Sequence, residues 1–565
     1  MCSVPSTGMA FFSESRIRSL TNILGHSKLR DLIEALGQTI HQHAHESGIR
    51  FRKPDTPPQA PPQDTARYIA AYFQMLDPLS PFLDRGKFEQ QAFGPQLPEL
   101  LVNSAAFSAL YHTVLALGCQ YAEAGSFAPH QGKAWEYFQV ALGLFPEILV
   151  PPGRLVNVQV HDDNLHSTST NFQQALTAMA LFASSFSCIQ IGETFISEAA
   201  RMVQVLGYNA AYIRTEDEKA CRRVFWAIYW QEKVACFFRG RASTMPEYDI
   251  GCPVPNAPEA VTGQLDWLLT TAGLGRLMSR MYECLFSVSA VQRHKQARIA
   301  AINSVSSELE AWACSLPPAF QPSQPLRSSN FNEAYSLEMG LQLRFVYHAL
   351  MMSICRLRIH LVADQEPGES DQETKRRLME TARDIIYHCC HIKQEAYVPV
   401  WELAIVPISA LFVIFDFVIH NPFHKETNTN LAFLDIAAGY FSRWEIANKG
   451  SLPASNPAEL SHIAREFVQN VRAKSDTSRL QRLDQTVPAT PQAAHNVSIV
   501  VDPSQIENEA SVAFTDYLHA SSAHPDSLFY PDDPLQPILG TSMLPAPDLA
   551  FMFNGGIWSP HSPGF

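Results

Sequence analysis

The chain holds eleven cysteines, yet no two of them stand in a C-x2-C spacing. That lack excludes the zinc sites built from paired cysteines. The thiols sit scattered in apolar helical patterns, as buried, reduced cysteines of an intracellular protein do. No Lys or Arg follows Arg482, so the last 83 residues carry acids alone. Nine of the thirteen net negative charges lie there, leaving −4 for residues 1–482. A body so near neutral presents no electrostatic footprint for phosphate backbones. Period-two alternation is almost missing, which argues against sheet. There is no glycine-rich phosphate loop, nucleophile elbow or HExxH pair, and nothing else points to an enzyme. The start of the chain has no basic-then-apolar leader. The longest apolar run, 404–419, contains Pro407 and Asp416. It reads as a core helix that falls short of a membrane span, so no membrane partner is expected.

What is present is helical periodicity. Residues 10–47 read as helix, with Leu20, Ile23, Leu24, Leu29, Leu32, Ile33, Leu36 and Ile40 spaced for one apolar stripe. Five prolines within 54–62 call for an extended linker. Helical patterns then recur near 65–77, 97–123, 130–149, 168–189, 193–206, 215–238, 264–288, 290–314, 333–363, 370–396, 400–420, 427–446 and 457–474. One short extended run is expected at 496–501. From about 475 the composition turns to Pro, Ser, Ala and acids with isolated aromatics such as Phe514, Tyr517, Phe529 and Trp558. Such a segment cannot build a core, and disorder is expected. The division is therefore 1–64, an N-terminal helical segment and Pro-rich linker; 65–475, a large body; and 476–565, an acidic and aromatic tail.

Two polar clusters invite a metal reading and do not sustain it. His41 and His45 share a helix face while His43 points away, and two ligands make a weak site. His388, Cys389, Cys390 and His391 occupy one helical turn, which spreads the side chains around the axis. Asn496 opens an acceptor sequence for glycosylation, against which the intracellular compartment argues.

The most specific stretch runs from Glu218 to Pro255. Thr215 stands three residues before Glu218, a capping-box spacing that would fix the helix start. Arg222, Trp226, Tyr229, Lys233 and Phe237 recur at three and four and share a face. The helix breaks at Gly240, and an Asp-Ile and proline segment follows. In order come Arg222-Arg223, Phe225-Trp226, Tyr229, Glu232-Lys233, Gly240-Arg241 and Asp249-Ile250, then Pro253 and Pro255. This resembles the signature of the fungal-specific transcription factor domain, the helical regulatory region of binuclear zinc-cluster regulators. Ala242 replaces the usual proline after Gly-Arg, which loosens the turn. Tyr72-Phe73, then the run 77–84 and Phe88, are similar to that family's opening motif. Residues 200–209 are similar to its Ala-Arg-Met helix end, with Gly207 as the stop.

The resemblance implies an all-α regulatory domain of stacked helices in a nuclear transcription regulator, an activator of metabolic or secondary-metabolite genes. Arg222, Arg223, Phe225, Trp226, Tyr229, Glu232, Gly240, Arg241 and Asp249 then form a buried structural brace. Glu218, Glu232 or Asp249 would pair a buried arginine, or an arginine would stack on Trp or Tyr. The tail would recruit transcription machinery, or it only solubilises the protein. Homo- or heterodimers are possible for the family, although no sustained heptad appears. Relatives carry six cysteines holding two zinc ions, and before Cys119 this chain has only Cys2. Zinc, and direct contact with DNA, are thus expected only if a preceding segment carries that cluster. The alternatives are a helical co-regulator or scaffold acting through a DNA-bound partner, or DNA binding by another surface.

Overall fold

The computed structural model describes residues 14–35, 38, 48–123, 125–149, 163–185, 191–213, 217–362, 369–450 and 456–485. The histidine tract at 41–45, Thr215, the extended run at 496–501 and the acidic tail lie outside them. The described chain is all-α apart from one antiparallel pair of two-residue strands, β1 (Val261–Thr262) and β2 (Leu265–Asp266).

The first helix, α1 (Glu14–Leu24), stops at Gly25, and residues 28–35 form a second helical stretch. The single helix expected over 10–47 is thus broken in its described part. The apolar stripe nonetheless holds, with Leu20, Leu24, Leu29 and Ile33 buried. The Pro-rich linker then runs extended without being free. Gln139 donates to the carbonyls of Arg50 and Arg52 at 2.8 Å each, Phe51 packs on Phe145 and Lys53 pairs with Glu147.

Pro61 and Pro62 open α2 (Pro62–Met75), where a missing amide costs nothing. A turn at 76–84 leads through the Asp84 cap into α3 (Arg85–Ala92). Next come α4 (Leu97–Asn103), α5 (Ala105–Ala122), α6 (Lys133–Leu149), α7 (Asp163–Ala183), α8 (Gly192–Val205) and α9 (Glu218–Phe238). The helix α5 is apolar nearly all round and is accordingly surrounded, by α2, α6 and α7. The helix α9 leans on α7 and α8 and passes the chain to α10 (Trp267–Met281). Then α11 (Lys295–Ser315), α12 (Ala334–Val362), α13 (Glu369–His388), α14 (Val406–His420), α15 (Thr427–Ala447) and α16 (Glu459–Gln485) stack, most of them on the helix before. In this half α14 is central, touched by α13, α15, α16 and α1. The beginning and end of the described chain therefore meet on one helix, and Lys28 pairs with Glu466 at 2.9 Å.

Two helical stretches, Ala334–Val362 and Trp401–His420, are long and apolar enough to cross a membrane, the second longer than the run 404–419 suggested. Their apolar windows are 72% and 94% buried, so other helices already cover what lipid would cover. The last helix passes residue 475 and ends at Gln485. Not all thiols are inside: Cys314 and Cys390 are exposed.

Candidate functional site

The signature builds a clasp around α9. The helix starts at Glu218, but its cap is Asp217, whose side chain accepts from the Ala220 amide at 3.3 Å. Glu218 is therefore the first helical residue and not the third, and its carboxylate pairs with Arg222 one turn on. That corrects the Thr215 capping box. At the far end Gly240 lies at φ 68°, and the amides of Gly240 and Arg241 close on the carbonyls of Phe237 and Cys236. This is the left-handed stop that glycine accepts without penalty. The next residues turn back along the helix.

On that returning stretch lies the polar brace. Lys233, only 2% exposed, donates to Ser243 Oγ at 2.8 Å and to the Met245 carbonyl at 2.5 Å. It also pairs with Glu247 at 3.1 Å and sits 4.9 Å from the Tyr229 ring. Tyr229 donates to Glu247 at 2.7 Å, and Ser279 of α10 donates to the same oxygen at 2.9 Å. Burial, with Glu247 beside it, pushes the Tyr229 hydroxyl pKa far up. Gly275 lets α10 come close here: a Cβ on it would lie 2.5 Å from the Tyr229 ring. Glu232 turns to the hairpin and accepts from the Thr244 amide at 2.6 Å, the Thr244 hydroxyl at 3.0 Å and Ser243 at 2.7 Å. No arginine reaches it among the described residues. Trp226 donates to the Pro253 carbonyl at 3.1 Å, and the arginine over its ring is Arg276. Arg223 pairs with Glu259 at 2.5 Å, and Arg241 with Glu193. Phe225 is buried edge-on to Trp226.

Asp249 pairs no arginine among the described residues either. Its carbonyl and carboxylate accept from the Asn209 side chain at 2.8 and 3.1 Å, while the Asn209 carbonyl takes the amides of Gly251 and Cys252. Asn209 follows the Gly207 stop of α8, where the Gly207 and Tyr208 amides close on Gln204 and Val203. The two motifs 200–209 and 240–255 thus clasp each other. The opening motif is tied in too: Trp267 donates to the Leu79 carbonyl at 2.7 Å and Gln174 to that of Phe82 at 3.2 Å. Asp77 is buried in this turn, and burial raises its pKa to about 8. Sequence reasoning missed Asn209, Ser243, Thr244, Glu247, Glu259, Arg276 and Ser279 as brace members. The polar turn after Gly240 was the available signal for Ser243, Thr244 and Glu247. Nothing in the spacing marked the α10 residues.

The opposite side of α9 is apolar and walls a cavity of about 160 Å³. Trp230, Val234 and Phe238, four residues apart and so on one face, line it together with Arg239. Leu181 of α7 and Trp401 close other sides. Phe238 stacks on Trp401 at 5.2 Å and 13°, and Tyr121 stacks on Tyr397 at 4.1 Å. Arg239 is the cation on this wall. Its side chain is 14% exposed, and burial lowers its pKa to about 10. Gln342 hydrogen-bonds Glu402, which is 5% exposed, and burial, with Glu338 adding to the shift, raises the Glu402 pKa well above the usual carboxylate range. His388 and Cys389 are buried, while Cys390 is exposed and His391 half-buried, so that turn does not converge. No group of three metal-type side chains occurs among the described residues.

The described residues thus form an all-helical body whose three motifs are joined by hydrogen bonds. The family model described as "Fungal specific transcription factor domain" matches residues 69–313, and the chain carries that domain. An ABC-transporter-regulating transcription factor of Aspergillus oryzae is 19% identical over 77% of this chain and 51% of its own length. Its namesake in Aspergillus fumigatus is 21% identical over 59% of this chain and 38% of itself. Sorbicillinoid biosynthetic cluster transcription factor 2 of Penicillium rubens is 23% identical over 52% of this chain and 43% of itself. The chain thus spans about half the length of these relatives, or less.

Proposed function

We propose that this protein regulates transcription in the nucleus, controlling a specific set of metabolic or secondary-metabolite genes. The observation that carries the reading is the fungal specific transcription factor domain at 69–313, whose signature residues meet in one clasp. The relatives are named for control of transporter genes and of a biosynthetic cluster, which supports a gene set of that kind here. In this reading the protein is an activator. The helical body supplies a rigid platform, and the acids and aromatics of 483–565 recruit transcription machinery. Direct contact with DNA belongs to a zinc module outside this sequence, or to a DNA-bound partner. A homo- or heterodimer fits either arrangement.

The test is a reporter driven by the full chain fused to an unrelated DNA-binding domain. Activation is expected, and deletion of 483–565 should abolish it. Activation that survives the deletion removes the tail from the mechanism. A fusion that stays silent at matched expression makes the protein a helical co-regulator or scaffold.

A further inference from the structure

The cavity behind α9 holds two features that protein packing alone does not explain. The first is its volume of about 160 Å³, well above the water-sized voids usual in protein interiors. An engineered apolar cavity of about 150 Å³ takes one benzene. The second is Arg239. Its guanidinium has five donors, yet among the described residues its side chain meets only Glu193, at 3.7 Å, beyond hydrogen-bond range. That carboxylate is already taken by Arg241. A mostly buried guanidinium beside aromatic walls, with no hydrogen bond to the described residues, matches a planar anion.

From this geometry we infer that the cavity binds a small aromatic carboxylic acid, its single ring between Trp230, Phe238 and Trp401 and its carboxylate on Arg239. A ring finds flat partners here, because Phe238 and Trp401, stacked on each other, both line the cavity. The far wall is polar: Gln342 lines it. Its amide offers hydrogen bonds to a ring substituent. Sites with this mix of apolar wall and few fixed polar groups are how proteins hold small ligands. Because α9 also carries the brace on its other face, an occupied cavity presses on the helix that the clasp grips.

The experiment is titration of the full chain at pH 7.5 with benzoate, benzyl alcohol and benzylamine, by calorimetry and by Trp fluorescence. Benzoate is expected to bind saturably and at least about tenfold tighter than benzyl alcohol, the usual gain from a charged hydrogen-bond pair. R239Q should bring benzoate down to the level of benzyl alcohol and leave the alcohol unchanged. L181W, which fills the cavity and keeps Arg239, should abolish both; it serves as the control if R239Q fails to fold. The inference is overturned if benzoate binds no tighter than the alcohol. It is also overturned if benzylamine binds best, if R239Q keeps the preference, or if L181W still binds benzoate. These readouts report binding only, so they stand apart from the reporter assay.

Discussion

At the scale of single residues, the brace is decided by burial. Lys233 is a cation withdrawn from water and held by one hydroxyl, one carbonyl and the Glu247 carboxylate. K233M would leave those acceptors without their donor, and such losses cost about 3 kcal/mol when the pair is buried. Y229F removes one hydrogen bond and should cost about 1 kcal/mol. Urea unfolding of both variants checks the order; equal stabilities would show that the brace is not an energetic centre. Asp77 acts with the opposite logic. Its folded pKa, raised to about 8, lies above the unfolded value, so the folded state keeps a proton that the unfolded state releases near pH 4. Stability from this group is full below pH 4 and is lost as pH rises through 8. D77N should match the parent near pH 4 and exceed it by roughly 2 kcal/mol or more at pH 8. Melting curves across that range decide it, and a constant difference would refute the buried acid. His348, its pKa pushed down to about 3 by burial, works the other way. The unfolded state takes up a proton below pH 6.5 that the folded state refuses, so this group weakens the fold as pH falls from 6.5 to 3. The identities of Lys233 and Tyr229 were legible from helical spacing. Their partners were not, because Ser279 lies on another helix and Glu247 beyond a turn.

At the scale of elements, the clasp depends on two left-handed glycines that end α8 and α9. Each redirects the chain so that Asn209 meets the stretch 249–252. There Asn209 makes four polar contacts. N209A removes the side-chain pair and should cost about 2 kcal/mol. It should also raise hydrogen exchange at the Gly251 and Cys252 amides; unchanged protection there would mean that the hairpin holds without Asn209. Sequence placed most of these helices within a few residues, since their apolar spacing is regular. It mistook the cap of α9, because Asp217 and Thr215 are both good caps and only the backbone path chooses between them. It also read α1 and the stretch after it as one helix, because a single glycine costs little against a continuing apolar stripe.

At the scale of the whole molecule, the N-terminal segment belongs to the core. Ile17, Leu20, Leu24, Leu29 and Ile33 are buried, and α1 packs on α14. A chain starting at residue 65 would expose the apolar surface they cover. At about 1.5–3 kcal/mol per fully buried aliphatic side chain, the shortened chain should be several kcal/mol less stable or insoluble. Comparing its urea midpoint with that of the full chain tests this. Equal midpoints would make residues 1–64 an appendage.

The sequence by itself determined the all-helical class, the order of the three motifs and the family they point to. Those follow from local periodicity and from residue types at short, fixed spacings. Only the tertiary structure decided which acid meets which base, that Asn209 links two motifs forty residues apart, and that the reverse face of α9 borders a cavity holding Arg239. Such contacts join positions far apart in the chain, and their energies depend on burial and on distances of a few ångströms. No spacing rule along one dimension carries that information.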